Sequence, residues 1–434
     1  MGLQLQKYSG YQQTDLPWLD EVPAHWCLIR KKYLFEERVQ KGYPDEPLLA
    51  ATQAQGVVRK AEYESRTVEA TKDFHLMKLV REGDFVISLR SFEGGIEYAH
   101  HQGIISPAYT VLIPRDISEA RYYRHLLKSR PFIQGLRLFV TGIREGQNID
   151  YTKLSRTFLP CPPVDECNRI ANFLDQKTAE IDEAIAKKQR LIELLKEQKT
   201  ILINRAVTKG LTPDVPMRDS GVEWVGDMPK HWEVKKLKYF SDVQSGITLG
   251  KQYGGKNLSN YPYLRVANVQ AGFFDLSEIA VLSVPTRVAE QYFVRAGDIL
   301  ITEGGDIDKL GRGMVWENQV GNCLHQNHIF AVRVQLELVS EYFISLALGS
   351  DYGRRYFTHT ANKTTNLAST NKTKLGNFSV AIPPPQEQQE VLKYSNNVSE
   401  EYDGLIRSIS SEIEKLFEFK KIAVSETVTG KIKL

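Results

Sequence analysis

Four cysteines among 434 residues are too few for a disulfide-built fold. None forms a Cys-x-x-Cys pair, so Cys27, Cys161, Cys167 and Cys323 are expected to be free thiols in a reducing cytosol. An oxidised Cys161–Cys167 pair stays open, closing only a small loop at a helix start. Long apolar runs are missing as well. No stretch approaches the ~20 residues of a membrane span, and the N-terminus has no signal-peptide pattern. A cytoplasmic protein with no membrane contact is the expectation. The net charge is only +3, with 56 Lys/Arg against 53 Asp/Glu, which is a weak argument for a nucleic-acid partner. Catalytic motifs fail in turn. Gly246-Ile-Thr-Leu-Gly250-Lys251 is one residue short of a phosphate loop, and Gln252 stands where a Ser or Thr would hold magnesium. His325-Gln-Asn-His328 reads as a turn into a strand with no third ligand nearby, which favours hydrogen bonding over metal binding. Phe92-Glu-Gly-Gly95 is not a methyl-donor pocket, and no G-x-S-x-G or H-E-x-x-H is present. The chain reads as a recogniser, not an enzyme.

What is present is a long internal repeat. Trp18, Pro23, His25, Trp26, Lys32 and Tyr33 recur as Trp224, Pro229, His231, Trp232, Lys238 and Tyr239, all 206 positions on. The offset is 214 where Arg81-Glu-Gly-Asp84 meets Arg295-Ala-Gly-Asp298. It reaches 220 at Tyr122 and Tyr342, then holds at 221 from Pro162 and Pro383 through Val207 and Val428. A repeat of this length is a duplicated domain. Surface loops absorb changes of length; a long element that must keep register does not. Each copy is therefore a loop-bearing globular part followed by a rod of fixed length. Two similar but unequal copies suit a two-part target.

The rods have helical spacing. Each follows a proline run that enforces an extended lead-in, and each carries acidic residues in its first turn, where the helix dipole favours them. Thr178, Ile181, Ile185, Lys188, Ile192, Leu195, Lys199 and Leu202 repeat at three-four spacing, as do Val398, Tyr402, Leu405, Ile409, Ile413 and Leu416. Such seams predict a coiled coil, and antiparallel pairing would relate the copies by a pseudo-twofold axis. Forty-three residues would span roughly 65 Å. Residues 165–207 carry eight cationic and eight acidic groups; residues 386–428 carry five and nine. The remainder therefore holds +7, compatible with phosphate contacts. The globular parts read as mixed α and β. Strands are expected at residues 84–89, 109–113, 298–302 and 329–334, and helices at 118–139 and 339–357. Trp18, His25, Trp26 and their counterparts Trp224, His231 and Trp232 are expected in packing, because they recur where specificity should differ.

Several of these pieces together resemble the specificity subunits of type I restriction–modification systems. Trp224-Val-Gly-Asp-Met-Pro229-Lys-His231-Trp232 is similar to the start of a target recognition domain in that family. So are Gly297-Asp-Ile-Leu-Ile, Gly311-Arg312-Gly313 and Cys323-Leu-His-Gln-Asn-His328. Thr364-Thr-Asn-Leu367 and Ile382-Pro-Pro-Pro-Gln-Glu387-Gln388 resemble the family's lead into its conserved helix. In the first copy Ser106-Pro-Ala-Tyr109 and residues 206–213 do the same. The first lead-in departs from the pattern, with Cys167 where the family has Gln. The resemblance implies a mixed α/β fold: two globular target recognition domains separated by two long antiparallel coiled-coil helices, with a pseudo-twofold internal repeat. The expected boundaries are 1–160 and 211–380 for the domains, 161–210 and 381–434 for the helices. It further implies that each domain reads one half of a bipartite asymmetric site in double-stranded DNA. The helices would set the spacing and bind two modification subunits, with restriction subunits in the full complex. No cofactor is expected on this chain; S-adenosylmethionine, ATP and magnesium belong to the partners.

Base readout needs Arg, Lys, Asn or Gln on loops that reach the grooves. The candidates are Arg90, Arg144, Gln147 and Asn148 in the first copy, and Arg312, Lys363, Thr365, Asn366 and Lys372 in the second. A duplicated scaffold that binds only proteins is the rival reading, and an overlooked enzyme around His325 and His328 a third. The scaffold predicts no salt-sensitive DNA affinity, and the enzyme predicts turnover by the isolated chain.

Overall fold

A computed structural model describes residues 6–53, 55–63, 73–141, 148–248, 257–270, 272–305, 310–311, 313–363 and 368–434. The chain divides into two compact units, Met1–Gln189 with Ser410–Leu434, and Arg190–Ile409. Both contain α-helices and β-strands.

The first unit is organised on an antiparallel four-stranded sheet. Its order is Phe35–Arg38, Thr110–Pro114, Phe85–Ile87, Glu97–Tyr98. Phe85, Val86 and Ile87 are all buried, as an unbroken apolar run in a central strand requires. The second unit repeats the design with Ser241–Ser245, Ile329–Val334, Ile299–Thr302 and Gly313–Val315. Beside each sheet runs a two-stranded pair, Cys27–Arg30 with Phe158–Cys161 and Glu233–Lys236 with Ser379–Ile382. The second unit adds a three-stranded sheet of Ala280–Pro285, Leu258–Leu264 and Leu324–His325.

One turn is built identically in both units. Gly83 and Gly297 have φ of 94° and 88°, which a type II turn requires. The carboxylates of Asp84 and Asp298 accept the backbone N–H of Arg81 and Arg295 at 2.7 and 2.8 Å. Each buried aspartate is also gripped by a bidentate arginine, but from different strands. Arg38, on the sheet's edge strand, donates to Asp84 at 2.7 and 3.0 Å. Arg333, on the neighbouring central strand, donates to Asp298 at 2.8 and 2.7 Å. The charge is needed at one point in space, and either strand can supply it.

The rods are helices Val164–Lys209 and Pro385–Val428. In the first unit Asp182 pairs with Lys420 and Lys188 with Glu412, so the helical segments there run antiparallel. In the second, Lys199 meets Asp403 at 2.8 Å while Leu202 and Tyr394 line one cleft, again antiparallel. Ile181, Ile185, Val398 and Ile413 of the expected seams are buried; Leu405 is exposed.

Each globular core takes in the start of one long helix and the end of the other. Cys167, Ile170 and Leu174 join Val428 in the core around Trp26 and Tyr122. The Tyr122 hydroxyl donates to the Val428 carbonyl at 2.8 Å. In the second unit Val391 joins Ala206 and Val207 around Trp232.

The expected strands form at Phe85–Ile87, Thr110–Pro114, Ile299–Thr302 and Ile329–Val334. The two expected helices are each broken in two. Ile117–Leu126 stops before Arg130–Leu136, which has proline in its first turn. Glu341–Gly349 stops at Ser350, whose hydroxyl caps Asp351–Thr360. All four cysteines are free, with Cys161 and Cys167 buried. Among the described residues no helix is long and apolar enough to cross a membrane.

Candidate nucleic-acid interface

Three of the candidate readers, Asn148, Lys363 and Lys372, lie on or just after one structural feature that both copies share. In the first copy Val140–Thr141 pairs with Asn148–Ile149, forming a hairpin. In the second, Asn362–Lys363 pairs with Ala368–Ser369 in the same place. A short capped helix follows each hairpin. Asp150 accepts from the N–H of Lys153 at 3.0 Å, and Asn371 from the N–H of Lys374 at 2.9 Å. The caps are 221 positions apart, although the hairpin sequences share nothing obvious. Asn148 and Lys363 are exposed on the hairpin strands, and Lys372 is exposed at the first residue of the following helix. The Lys374 ammonium donates to Asn362 Oδ1 at 2.6 Å, so the structure brings Lys363 and Lys372 into one neighbourhood. Arg144, Gln147, Thr365, Asn366 and Arg312 lie outside the described residues.

Arg90 stands apart on the loop after Phe85–Ile87, exposed at the N-cap of the turn Ser91–Gly94. Behind that turn Glu97 is buried, and burial pushes its carboxyl up to about 7 against the pull of Lys128. Lys128 donates to both Glu97 oxygens at 2.8 and 2.9 Å and to the Gln53 carbonyl at 2.9 Å. The loop therefore rests on a tied base.

The rejected motifs have structural reasons. A Cβ on Gly246 would stand 1.9 Å from the His325 carbonyl oxygen, so this glycine serves close backbone contact. The remainder of that motif, from residue 249, lies outside the described residues. His325 is buried, its Nδ1 is 3.0 Å from the Ile329 carbonyl, and burial lowers its pKa to about 4. It is neutral and structural. His328 Nδ1 lies 2.6 Å from Glu303 Oε2 instead. Among the described residues no three potential metal ligands cluster.

Trp26 and Trp232 are core residues, and Trp18 and Trp224 pack against those cores. His25 and His231 bond Glu166 and Glu387, in the first turns of the long helices, at 2.8 and 2.6 Å. The Cys167 departure removes a bonding group. Its counterpart Gln388 accepts from the Ser340 N–H at 2.8 Å and donates to the carbonyls of Leu338 and Pro383 at 2.9 and 2.8 Å. Cys167 makes only an Sγ contact of 3.4 Å with Pro162 O. Tyr33 and Tyr239, which recur in the repeat, are both strongly exposed.

Residues 229–415 match the model of the type I restriction modification DNA specificity domain. The putative type I restriction enzyme MjaX specificity subunit of Methanocaldococcus jannaschii is 26% identical over 199 residues, 45% of this chain and 45% of that protein. The chain thus spans under half the length of that relative. The EcoKI specificity subunit of Escherichia coli K12 is 22% identical over 74% of this chain and 68% of its own. Two solved structures share the fold. One, described as the structural basis of complex assembly and conformational transition of the type I R-M system, has a TM-score of 0.66 at 16% identity. It covers 95% of this chain and 99% of its own. The HsdS subunit of Thermoanaerobacter tengcongensis has a TM-score of 0.52 at 15% identity, covering 95% and 98%. The family model and the curated relatives are those of type I specificity subunits, the family whose motifs the sequence resembles, and the solved structures share the fold.

Proposed function

We propose that this relative of the type I restriction–modification specificity subunits is the non-catalytic, DNA-reading subunit of a cytoplasmic methyltransferase and restriction complex. Each globular domain reads one half of a bipartite, asymmetric site in double-stranded DNA. One observation carries this reading: the same hairpin and capped helix occur in both copies with different exposed residues. An unchanged scaffold with exchanged reading groups is what two unlike half-sites demand. Arg90, Arg144, Gln147 and Asn148 are assigned to one half-site, and Arg312, Lys363, Thr365, Asn366 and Lys372 to the other.

The long helices pair as an antiparallel coiled coil between domains 1–160 and 211–380, related by a pseudo-twofold axis, and set the half-site spacing. They also bind two modification subunits, and restriction subunits join in the full complex. Exposed apolar side chains support this docking role: Phe417, Phe419 and Ile422 on one helix, Leu191, Leu194 and Ile201 on the other. S-adenosylmethionine, ATP and magnesium are assigned to the partners.

The test is methylation mapping of DNA incubated with this chain, cognate modification subunits and S-adenosylmethionine. Methylation at one split motif with a fixed spacer is expected. Replacing residues 1–160 with another such domain should change one half only. An assembled complex that methylates no specific site would favour the protein-binding scaffold.

A further inference from the structure

Each copy exposes a lysine–tyrosine pair on a turn that the backbone holds rigidly. Tyr33 is 61% exposed and Tyr239 72%, among the most exposed large side chains described. The Lys32 ammonium lies 4.8 Å from the Tyr33 ring centroid, and that of Lys238 5.3 Å from Tyr239. Main-chain bonds fix both turns at matching points. The Lys31 N–H donates to Thr157 O at 2.9 Å, and the Leu237 N–H to Phe378 O at 2.9 Å.

The surroundings are cationic in both copies. Arg30 and Lys236 precede the turns at equivalent positions, and both are exposed. Neither they nor Lys32 and Lys238 have an acidic partner among the described residues. Lys238 instead donates to the neutral Asn377 Oδ1 at 2.9 Å. Asn377 ends the short helix that begins beneath the candidate hairpin, and Ser155, which ends the matching helix, accepts the Lys32 N–H at 3.0 Å. Only one short helix, about 7 Å of rise, separates each pair from its hairpin.

We infer that Lys32 with Tyr33, and Lys238 with Tyr239, grip the sugar–phosphate backbone beside each half-site, independent of base sequence. This rests on the reading of the chain as a DNA recogniser. Ammonium and phenol hydroxyl are both phosphate donors. An element that stays constant while the adjacent hairpins change suits a feature that the two half-sites share, and all DNA shares its backbone. Recurrence alone would also suit a protein partner, but cations without acidic partners beside an exposed phenol favour a polyanion, even though Arg30 also lies 5.3 Å from the Phe158 ring centroid.

The test uses the full chain assembled with its modification subunits. Lys32→Ala with Tyr33→Ala, and separately Lys238→Ala with Tyr239→Ala, are titrated against specific and scrambled duplexes over a range of salt. One lost phosphate contact lowers the salt slope by about 0.9 and weakens binding about 8-fold at 0.1 M salt. Both duplexes should lose equally, with the methylated motif unchanged. Loss confined to the specific duplex, an unchanged salt slope, or loss of subunit assembly with intact DNA affinity would overturn the inference. A parent complex with no salt-sensitive DNA affinity would sink the DNA reading itself.

Discussion

Lys31 is a buried cation with no carboxylate partner among the described residues, and replacing it should strengthen the first unit. Its ammonium donates to the Thr157 hydroxyl and stands 5.3 Å from the Phe132 ring centroid. Burial pushes its pKa from 10.5 down to about 7. The unfolded chain therefore holds this proton more tightly than the folded one. The sign follows: the penalty is full below pH 7, fades as pH rises from 7 towards 10.5, and vanishes above that. At pH 7 it amounts to about 4 kcal/mol, and at pH 9 to about 2 kcal/mol. The ring offsets about 0.5–2 kcal/mol. The second copy places Leu237 at the matching position, fully buried in its core. Thr157 keeps its own donor bond to Leu154 O at 2.8 Å when the lysine is gone. Lys31→Leu should thus stabilise the first unit by about 2–4 kcal/mol at pH 7, and by about 2 kcal/mol less at pH 9. Urea-dependent hydrogen exchange of peptides covering residues 25–38 and 150–160 measures it in the full chain. A destabilised variant at pH 7, or a gain that does not shrink with rising pH, would refute the reasoning.

Three further outcomes are expected. Asp84→Ala and Asp298→Ala each strand a clamped arginine and undo a turn, costing about 3–5 kcal/mol in chemical denaturation; equal stability to the parent would rule the clamp unimportant. Val428→Ala should loosen the first unit by about 2–4 kcal/mol although it lies near the end of the chain, seen as faster exchange around Trp26 and Tyr122. Arg144→Ala should weaken binding to the recognition site far more than Asp403→Ala, which only breaks a partly exposed pair with Lys199; similar losses in a binding titration would discard Arg144 as a contact.

The framework that carries the candidate site was legible because duplication writes it twice. The hairpins are the exception. Asn148 and Lys363 share no motif, and only strand pairing shows that both lie on corresponding hairpin strands. Tyr33 and Tyr239 were legible as a recurrence, but a repeated aromatic reads as core until its exposure is known. The broken helices at Ser129 and Ser350 show the limit of periodicity, which registers an apolar face but not the proline start or the serine cap within it.

By itself the sequence determined the duplication, the constant-length helices, the family resemblance and the main strands. Those depend on local spacing and on comparison of one copy with the other. Only the tertiary structure decided which arginine clamps which aspartate, that Val428 completes the first core, and which cations stand unpaired. These depend on distances between residues far apart in the chain. Arg38 and Arg333 occupy unrelated sequence positions yet meet the same turn, because a carboxylate is satisfied by charge in space, whichever strand delivers it.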